Sequence, residues 1–417
     1  MLVLLLLALA AAAAGRAQAP TVSVTGVFSP GEHGFACFRV PSLVAIPGDK
    51  PRLLAFAEAR GPPEAPGCHD MSAKGIALKS STTAGRTWGG LRLLGVSPAW
   101  DARSFPPAGG VHNPTALWDP TRRQLLLHYV EGTRIFGIVN GTTWQLRSTD
   151  GGASFLPRER VDARFPAGLH GVYPGPGAGI ALKNEAKRGR LVFPAFVFQG
   201  PRYFPTQETT LAYYSDDGAK TFQVSTSKFS HARPNDQFDE PAVVERADGS
   251  LLFSIRGNYS LKDKRHKAWP YRMQAVSTDC GQSFGSFRFV TDLPDPSCQA
   301  SLLRLPRGPG QEPLLAFTNP ANASARADLT LRTSVDGERW SKGQLIWPLP
   351  SAYSSMAVPD AAKPAEVAIL FEQYLNSARP DNHLSICSVS PVGRECCRYV
   401  RRRARPRRAR QGDAQDG

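Results

Sequence analysis

Short apolar runs broken by Gly, Pro and Asp set the pattern of this chain. "RLLAFAEAR" (52–60), "QLLLHYVE" (124–131), "GRLVFPAFVF" (189–198), "GSLLFSIRG" (249–257) and "EVAILFEQY" (366–374) are continuous or alternating in their apolar positions. Runs this short, bounded in this way, predict β-strands, and no segment carries the 3.6-residue period of an amphipathic helix. Between the runs a short phrase recurs. "STDGGASF" (148–155) and "STDCGQSF" (277–284) are nearly identical. "STTAGRTW" (81–88) has Thr83 in the Asp position, "SDDGAKTF" (215–222) has Ala219 in the second Gly position, and "SVDGERW" (334–340) is one residue short. The starts at 81, 148, 215, 277 and 334 lie 67, 67, 62 and 57 residues apart.

The phrase has the chemistry of a hairpin turn. Asp accepts from N–H groups that the bend leaves unpaired, Gly takes a positive φ, and the final Trp or Phe anchors the turn on the core. Nothing in it calls for catalysis. A period of about 60 residues accommodates four short strands, and radial repetition of such units is a β-propeller. Residues 38–390 then form six units, so the expected fold is all-β, a six-bladed β-propeller. A β-sandwich is the alternative, but it would not need a turn motif at this period.

The ends differ from the middle. Residues 2–14 are apolar, too few for the roughly 20 that span a bilayer. An A-x-A match follows at Ala17–Ala19, so residues 1–19 read as a secretory signal peptide and the propeller domain as 20–397. Sequons at Asn140, Asn258 and Asn322 agree with secretion. The seven cysteines (Cys37, Cys68, Cys280, Cys298, Cys387, Cys396 and Cys397) fit no zinc spacing, and an oxidising compartment permits disulfides whose connectivity the sequence leaves open. Residues 398–417 hold eight Arg and two Asp, a tail without apolar periodicity that contributes +6 of the net +15. Such a tail is read as disordered and solvated, with contact to an anionic membrane surface, a glycan or a partner as the alternative, while the remaining +9 suits acidic ligands and no nucleic acid is expected. The eight His show no metal-binding pairing, so neither metal nor cofactor is expected. "GPGAGI" (175–180) lacks the Lys-Ser/Thr ending of a phosphate loop and reads as a strand turn.

The turn phrase resembles the Asp box of sialidases. "FRVP" (38–41) is similar to the Phe-Arg-Ile-Pro motif of that family, and "LLAFAEAR" (53–60) to the strand after it. "HDMSAKGIAL", "GPGAGI", "FDEPAVVERADGSLLFSIRGN" (238–258), "ADLTLRTS" (327–334) and "PSAYSSMA" (350–357) follow in family order, from about Phe38 to Val389. The resemblance is to animal exo-α-sialidases, particularly the lysosomal type, and it implies a glycosidase that removes terminal α-linked sialic acids from glycoproteins, oligosaccharides and gangliosides. It also implies a lysosomal address and a carboxypeptidase partner, although the Arg-rich extension departs from the tail of that type and leaves an extracellular or membrane-associated location as the alternative.

The resemblance assigns roles that make chemical sense. Arg39, Arg256 and Arg332 would hold the substrate carboxylate, which guanidinium groups bind in paired fashion. Glu372 would orient Arg39. Tyr353 would be the nucleophile and Glu240 its base; a neutral phenol avoids the repulsion that a carboxylate nucleophile would meet beside the substrate's own carboxylate. Asp70 would be the acid and then the base for water. Arg60 and Glu58 would line the pocket on the sugar's hydroxyl side. A trans-sialidase would use the same residues. A non-catalytic sialic-acid-binding propeller would be expected to lack Asp70, Glu240 or Tyr353, and all three are present.

Overall fold

The computed structural model describes residues 24–61, 68, 70, 72, 74–94, 110–135, 138–161, 165, 172–199, 207–226, 237–258, 270–308, 310–374 and 383–389. The signal segment, the Arg-rich tail, Cys396 and Cys397 lie outside the described residues, as do the side chains of Asn140 and Asn258. Within the described residues the chain is all-β. Its helical turns are two three-residue 3-10 segments, Glu32–Gly34 and Glu185–Lys187, and no helix there is long and apolar enough to cross a membrane.

The strands form antiparallel sheets in chain order. The first joins Cys37–Ile46, Arg52–Arg60, Lys74–Ser81 and Arg92–Leu94. The second joins Gly110–Asp119, Gln124–Ile135, Ile138–Ser148 and Glu159–Arg160, with Gly177–Ala178 added in parallel on Gly110–Asp119. The third contains Val172–Pro174, Leu191–Gln199, Gln207–Ser215 and Gln223–Val224, and the fourth Gln237–Glu245, Leu251–Asn258, Tyr271–Ser277 and Arg288–Pro294. Ile180–Ala181 also pairs with Leu191–Gln199 in the third sheet, and the six strands from Ser301–Leu305 to His383–Val389 form one seven-stranded sheet with the N-terminal strand Val24–Phe28, which pairs with His383–Val389. In its middle runs the 14-residue strand Gln344–Ala357. The first half of this strand pairs with Ala327–Leu331 and the second with Ala368–Gln373, so one strand serves two arrays.

Apolar side chains fill the space between successive sheets. Val44, Leu54 and Phe56 meet Leu125 and Leu127; Leu117 and Leu126 meet Phe193 and Tyr213; Val192 and Tyr214 meet Val243 and Phe253; Leu252 meets Leu315 and Phe317. At the other end of the chain, Leu370 and Ile386 pack on Leu43 and Leu53 of the first sheet. The packing is therefore cyclic. The "GPGAGI" turn runs close to its neighbours: a Cβ on Gly175 would lie 2.5 Å from the Pro241 carbonyl oxygen.

The repeated phrases are turns, as the sequence predicts. Asp150 accepts from the Ser154 N–H and from the hydroxyls of Ser148 and Ser154, while Ser148 Oγ accepts from the Gly152 N–H. Gly152 has φ 88, and a Cβ there would meet Leu54 at 2.5 Å. Where Thr83 replaces the Asp, its hydroxyl still accepts from the Thr87 N–H at 2.9 Å.

A second repeat emerges in the fold. Three sheets begin with a strand that bulges just before a proline: Val40-Pro41, Asn113-Pro114 and Glu240-Pro241, with φ of 55, 57 and 32 at the residue before Pro. A bulge adds one residue and re-aims the neighbouring side chains, and proline has no N–H to lose from the ladder. The displaced N–H groups find carboxylates: Val40 donates to Glu372 Oε1 at 2.8 Å and Asn113 to Glu58 Oε1 at 3.0 Å.

Candidate active site

The bulges and their flanking strand ends bring together most of the residues singled out from sequence. Arg39 precedes the first bulge. Its guanidinium makes two bonds to Glu372, Nε to Oε1 at 3.2 Å and Nη2 to Oε2 at 3.1 Å. Glu372 is fully buried and also accepts from the Tyr374 hydroxyl at 3.0 Å. This carboxylate therefore fixes both the first arginine and the bulge beside it.

Tyr353 follows the bend of the long strand and is 7% exposed. Its hydroxyl donates to Glu240 Oε1 at 2.5 Å and accepts from Arg256 Nη1 at 2.9 Å. Arg256 also donates to Glu240 Oε2. The guanidinium carbons of Arg39 and Arg326 each lie 5.6 Å from the centre of the Tyr353 ring. Burial raises the phenol well above its ordinary pKa, the Glu240 charge adds to that, and Arg256 and Arg326 oppose it. The resting phenol is thus neutral with a carboxylate already on its proton.

Arg332 is not in this cluster. It lies six positions along the strand from Arg326, roughly 20 Å at the usual rise per residue. There it pairs opposite Phe317, and its buried Nη1 has no hydrogen-bond partner. The reason is positional. Site residues sit at the ends of strands that meet the bulges, and on the strand Ala327–Ser334 that end is the N-terminal one, next to Arg326. Arg326 Nη2 donates to the Ser297 carbonyl at 2.9 Å, and Ser297 Oγ accepts from Arg256 Nε at 3.4 Å. The third arginine beside Tyr353 is therefore Arg326.

Asp70 lies on the connection between Arg52–Arg60 and Lys74–Ser81. Arg60 Nη1 donates to Asp70 Oδ1 at 2.6 Å, and Arg39 Nη1 is 3.5 Å from the same oxygen. Desolvation pushes the Asp70 carboxyl up, but Arg60 and then Arg39 outweigh it and hold the group well below the usual carboxylate range. Glu58 bonds Arg60 at 2.6 Å and lies 3.7 Å from Lys74 Nζ. Lys74, buried in the same corner, contacts His112 Nδ1 at 2.8 Å. Burial opposes ionisation of Glu58, yet Lys74 and Arg60 bring its pKa down to about 2; burial and Arg60 push Lys74 down to about 7 against the pull of Glu58.

Sequence reasoning missed Arg326, Tyr374, Lys74 and His112, and it left open the disulfide that joins Cys37 to Cys68. Arg326 had a signal, since it is the other arginine of "ARADLTLR". His112 had one in the "HNP" triplet, which stands in its strand as "RVP" stands in the first. Asn322 forms an Asx turn, its Oδ1 accepting from the Ser324 and Ala325 N–H groups. Among the described residues no cluster of His, Cys, Asp and Glu is arranged for a metal.

Residues 52–363 match the BNR repeat-like domain. The chain belongs to the BNR repeat-like family. A sialidase of Micromonospora viridifaciens is 29% identical over 350 residues, covering 79% of this chain and 49% of that protein. Human Sialidase-4 is 28% identical over 298 residues, 64% of this chain and 54% of its own length. The chain thus spans about half the length of these curated relatives. Among solved structures, a Hadza microbial sialidase superposes with a TM-score of 0.71 at 21% identity, over 88% of this chain and 68% of that one. The intramolecular trans-sialidase of Ruminococcus gnavus gives 0.69 at 16% identity, over 88% and 97%. Both share the fold of this family member.

Proposed function

We propose that the chain is a retaining exo-α-sialidase built as a six-bladed β-propeller, and that it hydrolyses terminal α-linked sialic acids of glycoproteins, oligosaccharides and gangliosides. The four separate sheets and the two halves of the seven-stranded sheet supply the six units, and their cyclic packing supports the closed count. The observation that carries the activity is the Tyr353–Glu240 pair, enclosed by Arg39, Arg256 and Arg326. Three fixed cations suit a ligand with a carboxylate. A neutral phenol with a carboxylate on its proton suits attack at a carbon that bears that carboxylate.

In the proposed sequence the substrate carboxylate settles on the three arginines. Glu240 takes the Tyr353 proton as the phenolic oxygen attacks the anomeric carbon, and Asp70 protonates the departing oxygen. Asp70 then draws a proton from water, which displaces Tyr353, and Glu240 returns the proton to the phenol. Two inversions retain the anomeric configuration. Asp70 must be protonated to begin. The arriving carboxylate offsets the Arg39 charge and so raises the Asp70 pKa, and an acidic compartment favours the same state. This is consistent with a secretory-pathway protein working in the lysosome, the address the family resemblance implies.

The test is release of sialic acid from α-linked sialyllactose by the purified chain between about pH 4 and 7.5, with the first-formed anomer read by NMR. The α-anomer should appear first. Tyr353→Phe should abolish turnover while an unsaturated sialic acid analogue still binds; near-wild-type turnover in that variant would refute the nucleophile assignment. The R. gnavus neighbour favours one second reading, transfer to an acceptor other than water. Transfer products formed in the presence of excess lactose would support it.

A further inference from the structure

Asp70 is the least packed group of the site. Its side chain is 75% exposed, against 13% for Arg39 and 3% for Arg60. It lies in the connection 61–73, whose ends are closed by the Arg60–Lys74 strand pair. Its side chain is largely open to solvent, so among the described residues its position rests chiefly on bonds. One is the ion pair with Arg60, which also donates from Nη1 to the Cys68 carbonyl at 3.2 Å. The other is covalent. Cys68, two residues before Asp70, is disulfide-bonded to Cys37, two residues before Arg39. Cys37 is fully buried in the core and pairs with Arg60 across the first sheet.

We infer that the Cys37–Cys68 disulfide is a positioning element for the acid of this site, and that cleavage of natural substrates depends on its remaining oxidised. The inference rests on the reading of Asp70 as the proton donor. Its physical basis is a change in charge. Arg60 attracts Asp70 while the carboxyl is ionised, but the donor is by definition the neutral acid, for which that attraction largely disappears. A restraint that works at the moment of proton transfer must not depend on charge. The disulfide supplies one, because it fastens Cys68, in a Pro- and Gly-rich connection, to the strand that carries Arg39 and so places a covalent anchor two residues from Asp70.

The consequence is selective. A sugar leaving group departs as a poor alkoxide unless protonated, whereas a nitrophenolate departs without help. Losing the restraint should damage the first reaction and spare the second. Arg39, Arg256 and the Tyr353–Glu240 pair stand on strands, and Arg326 directly precedes one, so they should keep their affinity for a carboxylate ligand.

The experiment compares the oxidised full chain, Cys68→Ala, and wild-type protein treated with a dithiol reagent and then alkylated. The reagent closes to its own disulfide and delivers two electrons and two protons, giving two thiols at Cys37 and Cys68; peptide mapping confirms that this pair was opened. Each sample is assayed on α-sialyllactose, on a 4-nitrophenyl α-sialoside, and for inhibition by an unsaturated sialic acid analogue. Opening the bond should lower kcat for sialyllactose by about 10- to 100-fold, within the range of general acid catalysis. The aryl substrate and the inhibition constant should change by less than about threefold. Equal losses on both substrates, or no loss on either, overturn the inference. If Cys68→Ala fails to fold, the reduced and alkylated wild-type protein answers the same question, and its unfolding would count against a local positioning role. If the oxidised chain cleaves neither substrate, the sialidase reading itself falls, and the inference with it.

Discussion

Tyr353 is held between opposite charges, and the identity of the third cation beside it makes a sharp prediction. Arg326→Ala should raise KM for a sialoside by at least about tenfold, as expected for loss of a charge-assisted contact. Arg332→Ala should leave KM within about twofold. Steady-state kinetics on the two variants decides the matter; the reverse pattern would restore Arg332 to the pocket. Both arginines lie in the same short stretch of sequence, and motif order alone picked the one on the wrong end of the strand. Arg39, Arg256, Glu240 and Tyr353 were legible because each stands inside a short ordered motif. Arg326 was not, because the pocket selects one end of a strand, and the ends are set by neighbouring sheets. Tyr374 and Lys74 were hidden for a related reason: each acts through a partner, Glu372 or Glu58, that only the tertiary fold brings near.

At the scale of elements, the strands and turns were the most legible features. Their apolar runs and turn residues are local, and the run 52–60 coincides with an observed strand. Strand pairing and the bulges were less so, although the triplets 39–41, 112–114 and 239–241 share a proline at the third place. The split role of Gln344–Ala357 had no sequence cue, since which half of a long strand faces which partner is decided across the sheet. The five-residue strand Val24–Phe28 lay outside the turn repeat altogether. It buries Phe28 completely, stacked on Phe38 at 5.2 Å between ring centres. Phe28→Ala should cost about 3–5 kcal/mol of stability, the usual range for emptying a core aromatic site. Hydrogen exchange should accelerate first in His383–Val389, its ladder partner, and least in Leu251–Asn258. Uniform acceleration throughout the chain would show that this strand is not a separate fastening.

For the whole molecule, the buried charges near the pocket set a limit on acid tolerance. Glu58 is lowered to about 2 against the opposing effect of its burial, so its contribution to folding is present above the ordinary carboxylate pKa of about 4.3 and is lost as pH falls toward 2. Denaturant unfolding should therefore show stability dropping through that window, by about 3 kcal/mol from this group, and Glu58→Gln should flatten the drop. An unchanged slope in the variant would place the acid sensitivity elsewhere. The window lies below about pH 4, so mildly acidic conditions that favour the proton-donor role proposed for Asp70 would leave the corner that holds it intact. The seven-stranded sheet joins Val24–Phe28 to His383–Val389, strands more than 350 residues apart in the sequence. During synthesis Val24–Phe28 leaves the ribosome before its partner His383–Val389, which follows roughly 20 to 70 seconds later at ordinary elongation rates. Throughout that interval Val24–Phe28 lacks its ladder partner, so this pairing, of very long sequence separation, forms only after the intervening sheets have been made.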